Sequence, residues 1–191
     1  MHDSLLDIAR GTPYFTGEME YTIFIFGSLL IFAISWPSLW NPTSHGFYRF
    51  FAFEAILALV AVNASGWFQD PFSPLQILSW LTLAGSIVLA LQSLWFLIRM
   101  GKPSGYFEIT TQLVTSGPYR AIRHPLYGSL FLLAWGAYLK GVSVLGTVLV
   151  LIASGALVAT AKVEENANVK KFGEAYAEYT RRTKMFLPRI L

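Results

Sequence analysis

The chain has 191 residues, of which 54% are hydrophobic and 13% charged, against roughly 25% charged in an ordinary soluble domain. That is a membrane composition, and the absence of cysteine excludes disulfides, thiolate metal sites and cysteine nucleophiles. The net charge of +3 is small, and most Lys and Arg lie between Arg99 and Arg123 or after Lys162, flanking apolar runs, so they speak for membrane orientation and anionic headgroups and not for nucleic acid.

The first twenty residues, MHDSLLDIARGTPYFTGEME, lack a basic start followed by an apolar core and do not read as a cleaved signal peptide. A bilayer core of about 30 Å needs about 20 apolar residues per helix. Tyr21–Trp40 and Leu75–Ile98 meet that length without a charge, and Phe50–Phe68 meets it with Glu54 alone. Leu126–Leu139 is shorter, and Val142–Ala161 is again long and uncharged; with Lys140-Gly141 between them the two read as a tight helical hairpin. Unpaired backbone groups are costly in lipid and ten-residue alternating strands are absent, so the expectation is an all-α bundle of about five transmembrane helices, followed by a short cytosolic amphipathic helix.

One membrane domain is expected over residues 1–191, with three spans in 1–98 and the connector, hairpin and C-terminal helix in 99–191. Gly128, Gly136, Gly146 and Gly155 are expected to let the hairpin's two backbones approach closely. Ser35-Trp36-Pro37 marks a kink or the end of the first span. Arg99, Lys102, Arg120 and Arg123 before the hairpin, and the basic residues from Lys162 to Arg189 after it, place both flanks in the cytosol. The N-terminus, with Asp3, Asp7, Glu18 and Glu20, and the turn at Asp70-Pro71 then fall outside.

Two polar clusters border the hairpin. In Leu113-Val114-Thr115-Ser116-Gly117-Pro118-Tyr119-Arg120-Ala121-Ile122-Arg123-His124-Pro125-Leu126-Tyr127, Gly-Pro makes a turn and Pro125 suits the first turn of a helix, where its missing N–H does no harm. Arg120, Arg123 and His124 are thereby held at a membrane surface, although either arginine could equally anchor a helix among headgroups. In the second cluster, Glu165, Val169, Phe172, Tyr176 and Tyr179 recur at steps of four and three, which puts them on one face of one helix. An interfacial helix explains the aromatic residues but not an acid among them, since a carboxylate near a membrane is costly without a partner. The hairpin leaves and returns to the same membrane face, so the clusters should meet. Carboxylates, an imidazole, guanidinium groups and aromatic rings together suit a zwitterionic ligand with an ammonium, a carboxylate and a cationic centre.

GPYRAIRHPLY, a hairpin, the paired acids Glu164-Glu165, FGEAYAEY and the closing Phe186-Leu187-Pro188 resemble the isoprenylcysteine carboxyl methyltransferase family, related to membrane phospholipid N-methyltransferases. The resemblance covers roughly Leu113 to Pro188. It implies S-adenosylmethionine as methyl donor, with S-adenosylhomocysteine as product, in a cytosol-facing pocket reached by a lipophilic acceptor from the bilayer. It further implies that Val114, Gly117, Tyr119, His124, Pro125, Tyr127, Glu164 and Glu165 bind the cofactor or brace its pocket, with Arg123 and Glu165 catalytic. Asn168 stands where the family commonly has leucine, a departure that bears on the acceptor.

Methyl transfer from a sulfonium is a direct displacement that calls for alignment and needs no metal. Arg123 could orient a carboxylate or thiolate acceptor, whereas an amine would need a base. The acceptor could be a prenylcysteine-type carboxylate, a phospholipid amine or a small thiol. Two rivals use other chemistry: a noncatalytic transport protein with Glu54, Asn63 and Gln92 along a path through the bundle, and a membrane reductase using a nicotinamide cofactor.

Overall fold

The computed structural model describes residues 17–104 and 110–186. Asp3, Asp7, Leu187, Pro188 and Arg189 lie outside the described residues, as do the side chains of Glu18 and Glu20. The described chain is helical, with α1 (Gly17–Leu39), α2 (His45–Val62), α3 (Pro74–Gly101), α4 (Pro125–Tyr138), α5 (Val144–Phe172) and α6 (Glu174–Arg182), and short 3-10 turns at Ala64–Gly66 and Gly117–Arg120.

Local sequence sets the helix starts. Ser44, Ser73 and Ser143 each accept a hydrogen bond at their side-chain oxygen from a backbone N–H in the first turn of α2, α3 and α5, satisfying one of the four donors a helix start leaves open. Pro74 and Pro125 occupy first-turn positions that need no N–H. α5 stops at Gly173, whose φ of 57° favours glycine.

α1 from Tyr21, α2, α3 and α5 are each long and apolar enough to cross a membrane. α4 has only 14 residues, about 21 Å at 1.5 Å per residue, short of the roughly 30 Å hydrocarbon layer. Its last carbonyls therefore finish inside the bundle, and side chains from α2 and α3 satisfy them. Asn63 Nδ2 donates to Ala137 O at 3.0 Å, Ser79 Oγ to Gly136 O at 2.7 Å and Gln76 Nε2 to Lys140 O at 3.2 Å. Lys140 Nζ, buried at the end of this helix, donates to Gln76 Oε1 at 3.0 Å and lies 3.4 Å from the Trp80 ring centroid, which suits a cation at a helix C-terminus.

The hairpin arms prefer other partners to each other. α5 packs chiefly on α2 and α4 chiefly on α3, while α1 rests on α2. Ala55, Ile56 and Leu59 of α2, Ala134 and Ala137 of α4, and Val150 and Ala153 of α5 form the buried core. Of the four hairpin glycines expected to bring its two arms together, Gly146 of α5 does lie against the Tyr138 ring of α4, whereas Gly128 and Gly136 face Leu89 and Leu83 of α3, and a side chain at Gly155 would meet nothing within 4 Å. The α3–α4 seam is also set by Ser79, Ser86 and Ser93, buried and seven residues apart. The first two donate across to α4 carbonyls, a bond that close approach at small residues permits.

Candidate active site

The site begins at a turn that only glycine can make. Gly117 has φ of 61°, and a Cβ there would run into the Phe96 ring of α3, so both conformation and space exclude a side chain. The chain then turns through Pro118 and Tyr119 and runs beside the C-terminal segment in a short parallel bridge between Ile122 and Lys184. Arg123 N donates to Lys184 O at 2.8 Å and His124 N to Met185 O at 3.2 Å. The two sequence clusters are thus joined through their backbones.

Their side chains interlock as well. Arg123 Nε donates to Glu165 Oε1 at 2.6 Å, and Nη1 donates to Thr183 O at 2.5 Å and Thr180 O at 3.4 Å. One guanidinium thereby pairs with α5 and caps the C-terminus of α6, a use of its fixed fork that lysine could not copy. His124 Nε2 lies 3.3 Å from the same Glu165 oxygen, and its ring stacks on Tyr127 with centroids 5.6 Å apart. Tyr127 Oη donates to Glu164 Oε2, and Tyr179 Oη to the Tyr119 carbonyl, each at 2.6 Å. The adjacent acids therefore separate: Glu165 turns to Arg123 and His124, and Glu164 turns to Tyr127.

A cavity of about 350 Å³ opens between these elements, within the size range of small-molecule sites. Its polar wall carries His124, Tyr127, Glu164, Asn168, Lys171 and Tyr176. Its apolar wall is built from Phe53 of α2, Ala90, Leu94 and Leu97 of α3 and Leu130 of α4, with Arg49 of α2 as the charged residue on that side. Lys171 Nζ donates to Thr110 O at 2.5 Å, tying α5 to the connector beside the cavity.

Of the residues expected at a cofactor site, Val114, Tyr119, Arg123, His124, Pro125, Tyr127 and Glu164 line this cavity. Gly117 braces it from the turn, and Glu165 stands behind Arg123 and His124. The expected single helix carrying Glu165, Val169, Phe172, Tyr176 and Tyr179 is corrected: Gly173 breaks it, so the two tyrosines belong to α6. The cavity face of α5 is offset by one residue, Glu164-Asn168-Lys171-Phe172, while Val169 is 47% exposed. Sequence reasoning missed Arg49, Phe53 and Lys171. A lone arginine in FYRFFAFEAIL with phenylalanine four residues on was the available signal for the first two.

The phenols of Tyr119, Tyr176 and Tyr179 stay protonated. Burial, with the Glu165 charge adding to it, pushes Tyr176 up to about 12. Burial likewise raises Tyr119 and Tyr179 above the ordinary phenol value, with the Glu164 charge adding at Tyr119 and Tyr176 adding at Tyr179. Tyr176 is 2% exposed, and its hydroxyl has no hydrogen-bond partner among the described residues; Asn168 approaches without completing a bond. A buried hydroxyl left unpaired costs about 1–3 kcal/mol, and Tyr176 lines the cavity wall beside Asn168.

The phospholipid methyltransferase family matches residues 75–175, which spans α3, the connector, α4 and α5. The cobalt-zinc-cadmium resistance protein CzcN of Cupriavidus metallidurans is 35% identical over 137 residues, 71% of this chain and 59% of that protein. The chain thus spans about three fifths of the length of this curated relative. The matched family segment supplies most of the cavity's polar wall and all of the α3 and α4 side, on a framework of four helices able to cross a membrane. This multi-pass membrane chain belongs to the phospholipid methyltransferase family.

Proposed function

We propose that the protein is a membrane methyltransferase that transfers a methyl group from S-adenosylmethionine to a lipid-borne acceptor. The observation that carries this reading is the division of one cavity into a hydrogen-bonding wall from the connector, α5 and α6 and an apolar wall from α2 and α3. The residues fit the cofactor: Glu164 offers a carboxylate to an ammonium or ribose hydroxyls, Tyr176 offers a protonated phenol, and the His124–Tyr127 stack offers aromatic faces. When bound, S-adenosylmethionine supplies an electrophilic methyl on a sulfonium. The chain's own work is then orientation and exclusion of water. Tyr127 holds Glu164 in place through the 2.6 Å bond, and Arg123 with Glu165 locks the wall by fastening α5 to the C-terminal segment.

The motif resemblance favours a prenylcysteine-type carboxylate as acceptor; a phospholipid amine or a small thiol are the alternatives. An amine would need a base, and Glu164 is the carboxylate on the cavity wall. The Lys and Arg distribution supports an outside N-terminus and a cytosolic C-terminus, with the cofactor side of the cavity facing the cytosol. Of the three polar residues that a transport path would use, Glu54 accepts a hydrogen bond from Ser28 at 2.7 Å, Asn63 caps α4, and Gln92 is exposed on α3.

Purified protein in lipid nanodiscs, incubated with methyl-labelled S-adenosylmethionine and native membrane extract, is expected to yield a labelled lipid whose head identifies the acceptor. Failure to bind S-adenosylmethionine, or tighter binding of NADPH, would overturn the reading.

A further inference from the structure

Arg123 lines two cavities. The second, of about 480 Å³, opens between α5 and the C-terminal segment, where Arg123, Lys162 and Lys184 share its lining with Val158 and Met185; among the described residues no carboxylate lines it. Arg123 is already paired with Glu165, so the uncompensated charge at this cavity is that of the two lysines. Both are exposed and have no ion-pair partner among the described residues, whereas Arg181 and Arg182 of the neighbouring α6 are paired with Glu174 and Glu178. A lysine at the end of a span ordinarily reaches the headgroups alone, but here two lysines from separate elements converge on one cavity. Lys162 is the first charge after the apolar run that starts at Val142, which puts the cavity where α5 leaves the hydrocarbon. Val158, Gly155 and Leu151 precede Lys162 by four, seven and eleven residues, on one face of the helix. A side chain at Gly155 would meet nothing within 4 Å, and Leu151 is 59% exposed, so an open apolar lane leads from the cavity into the membrane.

We propose that this second cavity binds the phosphate of an anionic phospholipid at Lys162 and Lys184, with an acyl chain along Val158, Gly155 and Leu151. Lysine holds a phosphate as a point charge, and two uncompensated lysines favour a head with a net negative charge over a zwitterionic one, whose own ammonium they repel. Free phosphate offers the same oxyanion chemistry, but only a lipid uses the lane. The site does not rest on the methyl-transfer reading: its lining includes none of Glu164, Tyr176, His124 and Tyr127, the residues assigned to the cofactor.

The test is native mass spectrometry of the full chain in nonionic detergent, titrated with phosphatidylglycerol or phosphatidylcholine, with inorganic phosphate as competitor. Wild type is expected to hold one phosphatidylglycerol about tenfold or more tighter than phosphatidylcholine, the scale of one charge-assisted hydrogen bond. Lys162→Gln combined with Lys184→Gln should abolish that preference, and Lys162→Arg combined with Lys184→Arg should keep it. Arg181→Gln combined with Arg182→Gln removes the same charge from paired positions on α6 and should leave the preference intact. Gly155→Leu should weaken phosphatidylglycerol by filling the lane, and inorganic phosphate should compete poorly because it gains nothing there. The proposal is overturned if wild type shows no preference, if the Lys→Gln pair keeps it, or if the Arg→Gln pair loses it equally, which would make it an effect of net charge. If inorganic phosphate displaces the lipid at matched concentration and Gly155→Leu has no effect, the lipid assignment falls and free phosphate is the ligand.

Discussion

The polar wall of the cavity is held by an interlocked set of hydrogen bonds from the connector, α5 and α6, whereas the opposite wall is lined by apolar side chains of α2, α3 and α4. On the first side nearly every polar side chain has an assigned neighbour: Arg123 with Glu165, Thr180 and Thr183, Tyr127 with Glu164, and Tyr179 with the Tyr119 carbonyl. On the second, leucines and a phenylalanine offer shape without direction, and Arg49 is the exception. Directional bonds fix a small polar ligand to within a fraction of an ångström, while an apolar slot selects by length and bulk. The proposed soluble donor and membrane-dissolved acceptor would need those two kinds of wall.

The comparison breaks first at Arg123. Replacing it with Ala strands Glu165 among α5 and α6 and frees two backbone carbonyls, which should destabilise the protein by about 3 kcal/mol, the cost of breaking a largely buried ion pair. Thermal unfolding in detergent would show it, and Arg123→Lys should recover little because the fork that reaches three acceptors is lost. A variant that unfolds at the wild-type temperature would mean that the wall does not depend on this pair.

Glu164→Gln sharpens the contrast between the two acids. It should leave unfolding nearly unchanged, since the Tyr127 hydroxyl can still donate to the amide oxygen, yet weaken S-adenosylmethionine by about tenfold, or roughly 1.5–3 kcal/mol for a charged hydrogen bond. Calorimetric titration decides, and unchanged affinity would remove Glu164 from the cofactor site.

Away from the cavity, Asn63→Ala uncaps the Ala137 carbonyl of α4 and should cost about 1 kcal/mol, in line with hydrogen bonds between membrane helices. S-adenosylmethionine binding should not change. A drop in cofactor affinity as large as that of Glu164→Gln would show that the end of α4 is coupled to the site. The smallest effect is expected at Tyr176→Phe. No hydrogen bond is lost in the free protein, so stability should hold or rise slightly, while cofactor affinity should fall about threefold to tenfold, the range for a neutral hydrogen bond of about 1 kcal/mol. If stability falls instead and affinity is unchanged, the hydroxyl serves packing and not a ligand.

Much of this was legible in the chain because membrane helices are one-dimensional objects: run length and charge alone put span starts at Tyr21, Leu75 and Val142, the last two within two residues of the observed α3 and α5 starts, since lipid forbids unpaired backbone. The two motifs were equally legible, because glycine at 117, proline at 125 and paired acids at 164 and 165 are local signals. What the residues alone left undecided was azimuth. Whether Glu164 or Glu165 faces the cavity turns on about 100° of helix rotation, and that rotation is fixed by Arg123 reaching back from a segment 42 residues earlier. Gly173 also cut the aromatic stripe in two, which moved Tyr176 and Tyr179 onto α6, while the rotation of α5 leaves Val169 exposed.

The sequence by itself therefore determined that the chain is a helical membrane bundle and which two stretches carry its chemistry, because hydropathy, turn residues and charge act within a few positions of each other. Only the tertiary structure decided that the hairpin arms pack more on α2 and α3 than on each other, that Glu165 is a brace while Glu164 faces the cavity, and that Arg49, more than a hundred residues from the paired acids, shares their cavity. Those outcomes depend on which helix covers which face, and that choice is made by packing and hydrogen bonds between residues far apart in the chain, which no local pattern records.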